Sequence, residues 1–192
     1  MKHIADHRLF AWIVLALPAI AMLVSGAHPA DQLHPTGETS ARLLILALAI
    51  SPLMILTRRA RWVRWLQARR RYIGVAAFAY AALHLWFYVI DMGTLDAILG
   101  EIPILSIWTG WLGFVALFIG AATSNAVSMR RLGTAWKSVQ RLAYPAALLT
   151  LVHWIAVHDG LGAALAHAAP LAALELYRLL HNANRKRTPA HA

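Results

Sequence analysis

The sequence predicts an all-α membrane protein: six transmembrane helices in one bundle, with both termini in the cytoplasm. Three observations predict it. The composition is too apolar for a soluble domain, apolar runs of bilayer length recur along the chain, and the connectors between them alternate in charge. The 192 residues are 60% hydrophobic and only 14% charged, with a mean hydropathy of +0.57. A soluble domain carries about a quarter charged residues. The formal net charge of +10 raises the question of nucleic acid. The basic residues, however, sit in short connectors between apolar runs, where they act as topology signals. The partner they imply is membrane lipid, and nucleic acid is excluded. With no cysteine in the chain, disulfides, thiol catalysis and cysteine-held iron–sulfur clusters are excluded as well.

Six spans follow, at about 9–27, 41–57, 72–90, 104–126, 139–157 and 162–181, each near the ~20 residues that cross a hydrocarbon core. Pro18, Pro52, Pro145 and Pro170 fall inside spans, which membrane helices tolerate. The length of the first run favours a retained span over a cleaved signal peptide, although the small residues of Ala21–Ala27 leave cleavage open. The pattern shows no internal repeat. The whole of 1–192 forms one transmembrane domain, with 182–192 as a polar, basic, flexible cytoplasmic tail.

Charge placement fixes the count. The N-terminus, the 58–71 and 127–141 connectors and the C-terminal segment hold every one of the 18 basic residues except Arg42. The opposite connectors hold Asp31, Glu38, Asp91, Asp96, Glu101 and Asp159. Six alternating spans put the basic set in the cytoplasm, as the positive-inside rule requires; five or seven would destroy the asymmetry.

Ionisable groups inside spans are costly and are functional candidates. His84 lies roughly 18 Å into the third span and His153 roughly 21 Å into the fifth, at 1.5 Å per residue. Both spans run outward, so the two imidazoles reach one level in the outer half of the membrane. That is the arrangement by which two helices supply axial ligands to one haem iron. A membrane histidine can also do no more than hydrogen-bond a neighbouring helix. His167, near the start of the sixth span, reads as an interfacial histidine. Arg42, at a similar depth to the two histidines, is either a partner for a haem propionate or an interfacial arginine snorkelling to headgroups. Glu175 and Arg178, three apart, read as a structural pair. Most of the eight tryptophans fall at predicted interfaces and form an aromatic belt, while Trp86 and Trp154 flank the two histidines and are candidates to pack on a porphyrin. No phosphate-binding loop, zinc pattern or hydrolase nucleophile motif occurs.

Several segments resemble a known family. His34-Pro-Thr-Gly37 precedes a span ending Ile50-Ser-Pro-Leu53. Arg70-Arg71-Tyr-Ile-Gly74 leads to Tyr80-Ala-Ala-Leu-His84-Leu85. Met129-Arg-Arg-Leu-Gly133-Thr-Ala-Trp136 leads through Arg141-Leu-Ala-Tyr144 to His153-Trp154. This ordered set, over about 34–157, resembles the MsrQ (YedZ) family of haem-binding subunits in the ferric-reductase-like transmembrane superfamily. The resemblance implies a six-helix haem b protein in the broad class of NADPH oxidases and STEAP reductases. Electrons would come from a cytoplasmic flavin reductase or quinone and pass to a periplasmic molybdopterin methionine sulfoxide reductase (MsrP-like) at the bacterial inner membrane. His84 and His153 match family haem-ligand positions, and His34 belongs to the first matching segment as a further cofactor-binding candidate. The family has another histidine thirteen residues before the position of His153, where this chain has Gln140. An amide does not replace imidazole on haem iron, so one haem is expected, on the periplasmic side. Arg70 and Arg71 are candidates to hold a flavin (FMN) phosphate, or else serve topology alone. Two other functions remain open: a stand-alone oxidoreductase acting on ferric iron, oxygen or superoxide at the outer face, and a non-redox transporter or scaffold.

Overall fold

The computed structural model describes residues 8–158 and 160–187, and among them the chain is helical throughout, without strands. Six long helices follow the order of the predicted spans: α1 (Arg8–Val24), α2 (Pro29–Leu56), α3 (Arg61–Met92), α5 (Leu105–Ala122), α8 (Ala143–His158) and α9 (Gly162–Arg187). Three short ones lie between them: α4 (Leu95–Glu101), α6 (Ala126–Leu132) and α7 (Ala135–Gln140). By length and composition α2, α3 and α5 can each cross a membrane, and α1 is a shorter apolar helix.

The helices outrun the predicted spans where polar sequence continues the turn. α2 begins at Pro29 rather than near 41, because His28 caps it, its side chain accepting from the Ala30 N–H, with Pro29 in the first turn and Asp31 beside the positive helix end. α3 begins at Arg61 rather than near 72. Of the expected flexible tail, 182–187 continue α9, and 188–192 lie outside the described residues, as do the N-terminal residues 1–7 and Asp159. The 127–141 connector is not a plain loop but carries α6 and α7, and Asn125 caps α6 by accepting from Ser128 N–H.

Two antiparallel helix pairs build the bundle. α2 packs along α3, joined by a turn in which Arg58 and Arg59 take positive φ of 48° and 63°. α5 packs along α8. Small residues let the axes approach. Ala77 is fully buried, and its carbonyl accepts from Ser40 Oγ at 2.8 Å across the first pair. Gly113 faces Leu149 and Thr150 across the second. Leu44, Leu48, Ala77, Leu117 and Ala146 form the central core, and Phe78 on α3 meets Phe114 and Phe118 on α5 with ring centroids 5.5 and 5.7 Å apart. Ala41, Trp154 and Ala164 tie α2 to α8 and α9. Large apolar side chains stand exposed on α1, α5, α8 and α9, Leu17, Leu112, Leu148 and Leu176 among them, as expected where lipid replaces water as solvent.

α1 is held to α3 by the Trp12–Tyr72 ring contact, centroids 5.3 Å apart, and by hydrogen bonds from Tyr80. The Tyr80 hydroxyl donates to Leu15 C=O at 2.8 Å and accepts from Ala19 N–H at 2.9 Å. These are the two groups that ordinarily close one helical turn. Pro18, which offers no N–H, lies between them. Tyr80→Phe is therefore expected to weaken the attachment of α1 by about 1 kcal/mol, the net value of a buried hydrogen bond. Denaturant unfolding in detergent measures it, and an unchanged midpoint would show the bond to be dispensable.

Candidate functional site

The space between the two helix pairs is a cavity of about 460 Å³ that both His84 and His153 line. Cofactor sites fall in the range of roughly 300–1,000 Å³. The imidazole centroids lie 6.0 Å apart with the planes at 86°. Sequence spacing predicted a common level, and the structure brings the two rings together there.

Each ring is held the same way. His84 Nδ1 is 2.9 Å from Leu33 C=O, and His153 Nδ1 is 2.5 Å from Ser106 C=O. A carbonyl can only accept, so both Nδ1 atoms carry the proton and both Nε2 atoms present a lone pair. Three residues past each carbonyl stands a buried threonine. Thr36 Oγ1 bonds back to the Gln32 and Leu33 carbonyls at 2.6 and 3.1 Å, and Thr109 Oγ1 to those of Leu105 and Ser106 at 2.6 and 3.0 Å. A glycine follows each. A Cβ on Gly37 would stand 3.1 Å from His84 Nδ1, and one on Gly110 would stand 2.8 Å from His153 Nδ1. Thr36-Gly37 on α2 thus seats His84 of α3 as Thr109-Gly110 on α5 seats His153 of α8. This corrects the expectation of no internal repeat. The repeat is a Thr-Gly pair followed by a histidine two helices' length later, too short to show as periodicity but readable as two Thr-Gly dipeptides on apolar helices.

The remaining candidates divide. His34 lines the cavity mouth and its Nδ1 lies 3.3 Å from Nε2 of His158, the last residue of α8. Arg42 does not line the cavity. Its Nη2 bonds Glu38 Oε1 at 2.7 Å and its Nε donates to His167 Nε2 at 3.2 Å, because Glu38 sits one helical turn away on the same face. Of the two readings of Arg42, neither is decided by this pairing, which leaves the guanidinium exposed beside Glu38. His167 stacks on Trp154 with centroids 5.0 Å apart. Trp154 is buried and lines the cavity, whereas Trp86 is 60% exposed and does not. Arg70 Nη1 donates to Ser51 Oγ at 2.9 Å, while Arg71 is exposed. The two arginines do not converge on one phosphate. Arg178 bonds Glu175 at 2.8 Å and the Tyr144 hydroxyl at 2.9 Å, the structural pair that their spacing predicts. Gln140, last residue of α7, spends its amide on α5: Nε2 donates to Gly120 C=O at 3.1 Å and to Thr123 Oγ1 at 2.9 Å, and Oε1 accepts from Ser124 Oγ at 3.4 Å.

A helical bundle with apolar, lipid-facing outer surfaces and paired, pre-oriented imidazoles in its central cavity defines a class, the multi-pass membrane proteins that carry a ligand or cofactor between helices. Residues 36–151 match the family model described as ferric reductase like transmembrane component, and the chain belongs to that family as a member of its MsrQ group, which makes it a multi-pass bacterial membrane protein. It is 36% identical over 173 residues to proteins named protein-methionine-sulfoxide reductase heme-binding subunit MsrQ from Xanthomonas campestris pv. campestris strains 8004, ATCC 33913 and B100. The alignment covers 86% of this chain and 76% of each relative. No solved structure matches the chain.

The glycine seats make opposite predictions for two like substitutions. Gly110→Ala should destabilise the fold by about 1–3 kcal/mol, as overpacking in a filled core does, since the added methyl collides with the His153 ring. Gly120→Ala, on the same helix but with open space around its Cβ direction, should stabilise by up to about 1 kcal/mol through helix propensity. Thermal unfolding of both variants in detergent checks the pair of signs, and equal shifts would show that the Gly110 seat is not tight.

Proposed function

We propose that this chain is a haem-carrying electron-transfer subunit of a methionine sulfoxide reductase system, with His84 Nε2 and His153 Nε2 as the axial ligands of one b-type haem. The carrying observation is the pair of cavity-lining imidazoles 6.0 Å apart, each bonded through Nδ1 to a carbonyl of the neighbouring helix. Two imidazoles on opposite sides of one metal, with metal–nitrogen bonds of about 2.0 Å, place their centroids roughly 6 Å apart, as here. The carbonyl bonds orient both rings and raise their basicity as ligands. When bound, the haem supplies reversible one-electron chemistry between ferric and ferrous iron. Trp111, Phe114 and Trp154, from α5 and α8, form an aromatic wall of the cavity.

The six long helices are read as six spans of a single domain in the bacterial inner membrane, both termini cytoplasmic, because that arrangement collects the basic connectors on one side. His84 and His153 then lie toward the periplasm. On this reading a flavin reductase or quinone at the basic end is the donor and an MsrP-like enzyme at the acidic end is the acceptor; the relatives' name as haem-binding subunits of a methionine sulfoxide reductase supports a redox partner of that system. Gln140, its amide already hydrogen-bonded at both ends, supports one haem rather than two.

Reduced-minus-oxidised spectra of the purified protein should show a bis-histidine haem at one per chain. His84→Ala and His153→Ala should each abolish it, and Gln140→Ala should leave it unchanged. Full haem occupancy after both histidine substitutions would overturn the assignment.

A further inference from the structure

The mouth of the cavity has a charge problem. A haem carries two carboxylates on its edge, and the cavity lining contains no lysine or arginine. It contains three carboxylates instead, those of Glu38, Asp91 and Glu101. Placing like charges together is unfavourable unless a cation intervenes. Arg42, the nearest guanidinium by sequence, is engaged by Glu38 and His167. Apart from the two ligand candidates, His34 and His158 are the only lining side chains that can become cationic.

Their geometry suits that role. His34 Nδ1 and His158 Nε2 are 3.3 Å apart with the rings edge to face, so one N–H already bridges them and an added proton is shared across two imidazoles. His158 ends α8, where the helix dipole favours a cation. His34 Nε2 faces Glu38 Oε2 at 3.8 Å, which favours the same form. The other charged or titratable groups around the pair are Arg42 on α2, His167 on α9, Tyr88 and Asp91 on α3, and Glu101 on α4, with Glu101 accepting from the Tyr88 hydroxyl and Asp91 standing 3.9 Å from His28.

We propose that His34 and His158 form a proton-linked clamp for the carboxylates of the haem, joining α2 to α8 across the cavity mouth; the inference rests on the haem reading above. Closing the clamp takes up one proton on the imidazole pair, and no other bond is made or broken. The sign follows. Only the protonated pair attracts a carboxylate, so the clamp holds at lower pH and is lost at higher pH. Protonation of the ligands His84 and His153 acts oppositely, releasing haem as pH falls, so the two effects are separable by direction.

The test is the rate of haem transfer from the purified holoprotein to excess apomyoglobin at about pH 5.5 and about pH 8.5, on either side of the ~6.5 of a model imidazole. The parent should lose haem about threefold to fivefold faster at the higher pH, the range of a partly exposed ion pair. His34→Gln and His158→Gln should be fast at both pH values, and His158→Arg, with a permanent cation, should be slow at both. His181→Gln, at the far end of α9, should behave as the parent. If the glutamine variants keep the bis-histidine spectrum and the parental pH profile, the clamp is wrong while the ligand assignment stands. If His84→Ala and His153→Ala retain haem, the haem reading itself fails.

Discussion

The site depends on one interaction made twice: an imidazole N–H from one helix donated to a backbone carbonyl of the helix beside it. A buried Nδ1–H without an acceptor would cost about 1–3 kcal/mol, and the other tautomer would turn the lone pair away from the cavity. The carbonyl must therefore be reachable although it already belongs to a helical turn. Glycine at Gly37 and Gly110 removes the side chain that would block the approach, and the neighbouring threonines place their hydroxyls on the same turn without a long side chain. The close α2–α3 and α5–α8 packing follows from this need, since any larger residue at these seats would separate the helices and open the gap between the rings.

Charge organises the rest. One end of the bundle carries the basic connectors, and the other carries Asp31, Glu38, Asp91, Asp96 and Glu101. The cavity opens among the acidic set, so its mouth attracts cations and repels anions unless histidines compensate. Glu38 is central to the balance. It holds Arg42 at 2.7 Å while facing His34 and His167 at 3.8 and 3.9 Å, and so diverts the only basic side chain of that end away from the cavity. A cofactor carrying its own negative charges then meets groups whose charge is set by pH rather than a fixed arginine.

The helix order and the two central histidines were legible in the sequence, because hydropathy and axial rise are enough to place a residue along a span. What failed was rotation about the axis and everything beyond the hydrocarbon. Trp86 is two residues from His84, hence about 200° around the helix, on the outer side; the same arithmetic would have removed it from the candidate list. Depth along the span did not reveal the pairing of Arg42 with its i,i+4 neighbour Glu38. The polar first turns of α2 were missed because hydropathy is blind to them, though the cap at His28 and Pro29 was there to be read. The His34–His158 contact joins residues 124 apart in sequence, and no local pattern could have paired them.

Gln140 bears on how electrons would reach the ring pair under the proposed reading. The amide staples α7 to the end of α5, so this turn is filled by a structural latch where a ligand would otherwise stand. His153 lies ten residues along α8 from its start at Ala143, roughly 15 Å of helical rise, about half of the ~30 Å hydrocarbon thickness. A reductant confined to the surface of the basic end would remain that far from the imidazoles. A donor whose reactive ring enters the bundle between the helix ends shortens the gap. On the proposed reading, a membrane-soluble ring has a shorter path to the histidine pair than a donor held at the surface of the basic end, where Arg70 is bonded to Ser51 and Arg71 is exposed.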